Sequence, residues 1–526
     1  MWQQNYVPIA GNLAWSALVA AVPVVALLYA IGVRRMSAWK SSVIGLVAAV
    51  LVASFAYRMP PLLVADSALY GAAFGAFPIF WVIYWAILLY RLTVDTGKFE
   101  TLKNSIAQLT TDRTLQALLI AFAFGAFVEG AAGFGTPVAV AAAILGGLGF
   151  AAFEAAGICL LANTAPVAFG SIAIPLVTLA ATTGLPIEVL SKYVGRLCAP
   201  VSLFIPAYLV LVMGGLPNLR RVWPAAAICG VSFAATQFVV SNFIGPYLTD
   251  ILASLAAILS LIALLRIWKP TSVAESKARY SAGELAHAWS PYLLLVFFIL
   301  LWSVDAMKAL LNRASLTIAW PGLHNVVQQI PPVAAHAMPY AALYRFRYLA
   351  EAGTACAVAA VATALVLRVN PRRFLRLAAE SADQLKFPFV SIVAVLALAF
   401  VMNYSGATAT LGLAFASTGR AFPYFSAMLG WLGVFLTGSD TSANALFGSL
   451  QQVTAHRLGL NPALMASANS AGGVMGKMIS LQSIAVAAAA AGLQAKDEPA
   501  LFRFTLKHSL LLASAVGVLA LMYARY

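Results

Sequence analysis

A polytopic all-α membrane protein is the fold class this sequence predicts, and three observations predict it. Of 526 residues, 62% are hydrophobic and only 9% charged, with a mean hydropathy of +0.90. A soluble domain carries roughly 25% charged residues, so lipid must be the solvent for most of this surface. Many segments supply the roughly 20 apolar residues that a helix needs to cross the hydrocarbon. Two pairs of polar, glycine-rich interruptions also fall at matching places in the two halves of the chain.

In chain order the apolar segments are 13–33, 41–57, 74–90, 113–128, 197–213, 223–240, 248–265, 290–304, 352–367, 387–402 and 508–523. With the interrupted segments they predict roughly 12–14 membrane-embedded helices in a single domain, 1–526. The longest polar stretches are 269–287 and 308–349. The opening MWQQNYVPIAGN has no Lys or Arg, so it lacks the basic region of a cleavable signal, and the first helix is expected to be a retained span.

The net charge of +15 is read as loop cations that set topology, not as a nucleic-acid surface. Arg34, Arg35 and Lys40 place the first loop inside and the N-terminus outside. Arg91, Lys98 and Lys103, then Arg220 and Arg221, then the run from Arg266 to Arg279, then Arg368 to Lys386 mark further inside loops. The segment from Lys308 to Arg347 falls outside; Lys192 and Arg196 do not fit the alternation. Cys159, Cys198, Cys229 and Cys356 lie far apart in apolar stretches, and the five histidines are scattered. Neither set has metal or disulfide spacing.

Offsets of 306–310 residues bring the halves into register. FPIFWVIYWAILLYRLTVDTG (77–97) matches FPFVSIVAVLALAFVMNYSG (387–406), FGAFVEGAAGFG (124–135) matches LGVFLTGSDTSA (432–443), and ANTAPVAFG (162–170) matches ANSAGGVMG (468–476). The first Phe-Pro helix runs toward the basic loop at Arg91, whereas the second leaves the basic cluster at Lys386. The copies therefore point in opposite directions, with repeat 1 at about 66–213, repeat 2 at about 385–526 and connecting helices at about 214–384. Inverted repeats with interrupted helices are typical of secondary transporters, which bind substrate near the midplane.

Bare backbone groups are costly in hydrocarbon, so the interruptions must line a cavity or pack on protein. EGAAGFGTP (129–137) and TGSDTSAN (437–444) are predicted as re-entrant hairpin tips; NTAP (163–166) and NSAGGVMGK (469–477) as unwound points in spanning helices. Freed amides and half-helix N-termini there attract an anion. Gly133, Gly135, Gly472 and Gly473 let the backbone bend and approach a ligand, with helix packing through small residues as the alternative. Glu129, Asp440 and Lys477 are ionisable residues inside these segments, hence functional candidates; the alternative is a structural Asp440–Lys477 pair. Each charge occurs in one repeat only, since Thr437, Ala132 and Ser171 stand at the matching positions. An asymmetric ligand in a pseudo-symmetric site requires such a difference.

At these residues the chain resembles the bacterial L-lactate permease family, from WQQNY (2–6) and Pro8 onward. The most specific stretches are EGAAGFGTPVAVAAAIL (129–145), LANTAPVAFG (161–170), GSDTSANALFG (438–448) and ANSAGGVMGKMIS (468–480). Departures from the family pattern stand at Val128, Ala443 and Leu481-Gln482. The resemblance implies a multi-pass protein of the bacterial inner membrane that moves L-lactate, D-lactate and glycolate together with protons. On that basis Lys477 and the amides near Asn163, Thr164, Asn469 and Ser470 are expected to hold the carboxylate. Ser439, Thr441, Asn444 or Gln482 bonds the 2-hydroxyl, and Glu129 or Asp440 carries the coupling proton. Glu129 is preferred, because no basic residue lies between 121 and 183 to keep it ionised.

The partners expected are thus a small monocarboxylate, a proton and the lipid bilayer. The sequence contains no metal-ligand set, no nucleophile paired with a base and no GxxxxGK[ST] loop, which argues against an enzyme and an ATP-driven pump and calls for no cofactor. A sodium-coupled carrier of another small organic anion is the alternative left open, since broken-helix carbonyls suit sodium.

Overall fold

The computed structural model describes residues 1–133, 135–268, 280–334 and 336–525. The Arg266 to Arg279 loop, with Lys269 and Lys277, falls outside them from residue 269 on. Among the described residues nine helices are long and apolar enough to cross a membrane, or eleven if each of two bent pairs counts as one span. Ile187–Ile244 runs 58 residues, and its backbone leaves helical geometry at Gly214, Gly215 and Val222. Its halves fold back on each other, so that Gly230 lies directly on the Leu203 carbonyl. It therefore contributes two spans, which brings the count into the predicted range.

Burial separates outer helices from inner ones. Leu13–Gly32 turns Trp15, Leu18 and Val25 outward, as a lipid-facing helix does. The 18-residue window of Arg113–Ala131, the first arm of the first predicted hairpin, is wholly buried. Inside lipid, a helix that stops short of the far side must be covered by protein, and this one is.

The start of that arm is fixed by Asp112. Its carboxylate accepts from the amides of Thr114 at 2.9 Å and Leu115 at 3.1 Å and pairs with Arg221. Partial burial pushes the Asp112 carboxyl up, but the Arg221 guanidinium and the two amides outweigh it and hold it below the usual carboxylate range. A carboxyl held low stabilises the fold above its unfolded value of about 3.9 and loses that contribution as pH falls through the folded one. Asp112→Ala is therefore expected to cost about 1 kcal/mol at neutral pH. The deficit should shrink in thermal melts taken below pH of about 3.9.

The helical class is as predicted, with one addition. The polar stretch 308–349 carries β-structure. Leu316–Ala319 pairs antiparallel with Leu343–Phe346, and Val327–Gln329 lies between Met338–Pro339 and the N-terminal Trp2–Gln3. This cap docks on the helices through Tyr344, whose hydroxyl donates to the Phe77 carbonyl at 2.8 Å, and Tyr404, whose hydroxyl donates to Ala341 at 2.8 Å.

Candidate functional site

Two hairpins and two bent helix pairs converge on one point. In the first hairpin, Gly125–Ala131 ends at a turn in which Gly133 and Gly135 have φ of +60° and +82°, a region open to glycine at little cost. Thr136–Gly147 then leads away, with Pro137 in its first turn. In the second hairpin, Phe422–Thr437 ends at Gly438 with φ +73°. Ser439 caps the returning helix Asp440–Leu458 by accepting from the Ser442 amide at 3.3 Å. The pair Ala152–Ala162 and Val167–Thr183 is bent by 64°, and the pair Pro462–Ile479 and Leu481–Ala491 by 43°.

The first bend falls where the sequence predicts it, at 163–166. The second falls later. Pro462–Gly476 is continuous helix through Asn469, Ser470, Gly472 and Gly473, and the break comes at Lys477 to Ser480. The reason is packing. A methyl group on Gly472 would strike the Ala427 backbone, and one on Gly473 would meet Asp440 and lie 2.9 Å from Val434. These glycines admit the second hairpin at close range rather than bending the chain, which is the role of small residues at membrane helix contacts.

Where the four elements meet there is a cavity of about 80 Å³, lined by Glu129, Ser171, Gly438, Ser439, Asp440, Thr441, Lys477 and Gln482 together with Val167, Gly170, Ile174 and Pro175. Six predicted site residues thus come together: Glu129, Ser439, Asp440, Thr441, Lys477 and Gln482. Gly438 and Gln482 also line an adjoining cavity of about 400 Å³ that reaches Arg35 and Met36 in the first basic loop.

The two carboxyls are held differently. Asp440 is 2% exposed; one oxygen accepts from Ser470 at 2.6 Å and Asn444 at 3.2 Å. Behind it the chain of amides continues from Asn444 to Asn469 at 3.0 Å and on to Gln451 at 3.0 Å. Glu129 is 4% exposed, and its Oε2, like the second oxygen of Asp440, has no hydrogen-bond partner among the described residues. Lys477 forms no ion pair with Asp440 among the described residues. Instead its Nζ donates to the Gly438 carbonyl at 2.8 Å, tying the second hairpin tip to the second bend. The structural Asp440–Lys477 pair is thereby set aside.

The remaining predicted residues stand behind the cavity wall. Asn444, Asn469 and Ser470 serve Asp440. Thr164 donates to the Leu161 carbonyl at 2.8 Å, a local bond of the unwound turn. Asn163 is buried, with neither side-chain atom partnered among the described residues. Gly133 faces Ser171, and Gly135 approaches Val486.

Ser171 itself is absent from the sequence-based site. It opens a three-residue left-handed turn, with φ of 47°, 58° and 60° at Ser171, Ile172 and Ala173. Left-handed helix costs roughly 1–2 kcal/mol per residue outside glycine, and such strain concentrates at functional sites. The turn aims the Ser171 hydroxyl at the Ala132 carbonyl, 2.8 Å away, locking the first hairpin tip. It also brings Gly170 under Glu129, where a methyl group would come within 2.7 Å of Oε1. The one sequence signal for Ser171 was its repeat match to Lys477.

A cavity with one ammonium, two carboxyls, three hydroxyls and an amide can bind a small anion and hold protons. The family model described as L-lactate permease matches residues 16–526. An L-lactate permease of Bacillus subtilis is 44% identical, the alignment covering 99% of this chain and 98% of that protein. The glycolate permease GlcA of Escherichia coli K12 is 43% identical with the same coverage. Among solved structures, Neisseria gonorrhoeae MtrF, described as an antimetabolite efflux pump, covers 88% of this chain and 84% of its own at 14% identity, with a TM-score of 0.47.

Proposed function

This chain belongs to the L-lactate permease family, and on that footing we propose that it is a secondary transporter carrying L-lactate, D-lactate and glycolate with protons across the bacterial inner membrane. It works as a transporter and not as an enzyme, through two inverted repeats at about 66–213 and 385–526. The observation that carries the reading is that Lys477, Glu129 and Asp440 line one small cavity at the hairpin tips.

Charge counting gives the mechanism. With both acids ionised and Lys477 charged, the cavity is net negative and repels a carboxylate. Unit charges about 4 Å apart interact by about 4 kcal/mol where the effective dielectric is near 20. One proton on either acid makes the cavity neutral before the anion arrives, so substrate and proton favour each other's binding. The loaded carrier also moves no net charge beyond its own. This matters because an inside-negative potential opposes a lone anion by about 2.3 kcal/mol per 100 mV. In this scheme Lys477 holds the carboxylate. Ser439, Thr441 and Gln482 bond the 2-hydroxyl, and Glu129 takes the proton because no hydrogen bond holds its carboxylate among the described residues, whereas two hold one oxygen of Asp440.

Labelled L-lactate uptake into proteoliposomes, in sodium-free buffer with an imposed inward proton gradient, tests the proposal. Uptake should rise with the gradient, collapse with a protonophore and be competed by glycolate. Uptake that requires sodium would replace the coupling ion; no lactate uptake by folded protein would remove the substrate.

A further inference from the structure

Among the described residues two buried acids lie outside the cavity, Glu351, which pairs with Arg347, and Asp250, which pairs with nothing. Asp250, in the first turn of Thr249–Ile267, is 1% exposed, and neither of its carboxylate oxygens has a hydrogen-bond partner among the described residues. Its Cβ rests on Gly130, where a methyl group would come within 2.9 Å of it. Gly130 follows Glu129, so both acids address the same turn of the first hairpin. Glu129 reaches from that turn into the cavity, and Asp250 packs on it from a neighbouring helix. Among the described residues the titratable groups near enough to Asp250 to interact with its charge are Glu129 and the buried Cys198 thiol.

A carboxylate stranded without partners in a protein interior is strongly disfavoured, and a helix N-terminus offsets only part of that cost. Asn or Leu would serve packing better, so a purely structural role does not account for an acid here. Ionisable groups buried within a membrane bundle mark ion pathways by default.

We propose that Asp250 is a second carboxyl of the proton pathway, exchanging the coupling proton with Glu129 from the side away from the substrate cavity. The step moves one proton from the Asp250 carboxyl to the Glu129 carboxylate. The charge of the pair is unchanged and no electrons move. Substrate and proton thereby have separate approaches, since Asp250 lines neither the central cavity nor the larger one leading to Arg35. The assignment rests on the proton-symport reading above.

The test compares full-length Asp250→Asn with wild type in proteoliposomes by two assays: lactate uptake driven by a proton gradient, and lactate counterflow at equal pH on both sides. Wild-type protein without gradient-driven uptake defeats the symport reading itself, whatever Asp250 does. With wild-type coupling established, Asp250→Asn is expected to lose driven uptake by about tenfold or more while counterflow persists, and Asp250→Glu to regain it. Driven uptake that survives in Asp250→Asn, or falls only in step with counterflow, overturns the assignment. Should Asp250→Asn not fold, Asp250→Glu alone decides. A displaced carboxyl in the pathway shifts the pH of half-maximal driven uptake, and an unshifted profile overturns the proposal.

Discussion

Glu129→Gln is expected to abolish proton-driven lactate accumulation while leaving lactate exchange largely intact. Glutamine keeps the volume and the hydrogen-bonding reach of the side chain but carries no proton in or out. The change also removes one negative charge from the cavity permanently. Relief of a repulsion worth about 4 kcal/mol at contact distances should make lactate binding nearly independent of pH, where wild type binds more weakly as pH rises. Two measurements therefore move in opposite directions. Gradient-driven uptake falls by about tenfold or more, and affinity at alkaline pH improves. If Glu129→Gln retained full gradient-driven uptake, the coupling proton would belong to Asp440. That carboxylate is the poorer candidate because Ser470 and Asn444 already satisfy one of its oxygens, and a charge held by hydrogen bonds gives less reason to take a proton.

The prediction depends on how Glu129 is held, which shows what a sequence of this kind reveals and what it hides. The hairpin tips were legible because glycine and polar residues cannot interrupt an apolar run in lipid without a reason. The six predicted residues that line the cavity all lie at or beside those interruptions. The place of the second bend was misread. Gly472 and Gly473 serve contact with Ala427 and Val434, and a glycine that admits a neighbour is written like one that bends a chain. The amides near Asn163 and Thr164 were expected to hold the carboxylate, but neither residue lines the cavity, and Thr164 turns its hydroxyl back onto Leu161. Ser171 gave almost no signal, since a left-handed turn at Ser-Ile-Ala runs against every local preference and is imposed by its surroundings. Asp250 was hidden for the opposite reason: an acid in the first turn of a helix is ordinary, and only its burial against Gly130 makes it notable. The β-cap within 308–349 escaped because strands of two to four residues are too short for alternation to register.

Lys477→Gln is expected to lose substrate binding itself, so that driven uptake and exchange fall together. Among the described residues Lys477 is the one cation lining the central cavity, and a hydrogen bond to a charged group is worth about 1.5–3 kcal/mol. That range raises the half-saturating lactate concentration about 10- to 150-fold, at 1.36 kcal/mol per decade. An ammonium has three donors. One holds the Gly438 carbonyl at 2.8 Å, which leaves two for a carboxylate without breaking the tie to the hairpin tip. The same substitution should therefore loosen that tip, read as faster amide hydrogen exchange over 437–441 with the first hairpin unchanged. Lys477→Arg separates the two duties. It preserves the charge, but its planar fork does not reproduce a point ammonium, so part of the affinity should return while hairpin protection does not. Lactate binding unaltered in Lys477→Gln would move the carboxylate to the hairpin amides and leave Lys477 as a latch on Gly438 alone.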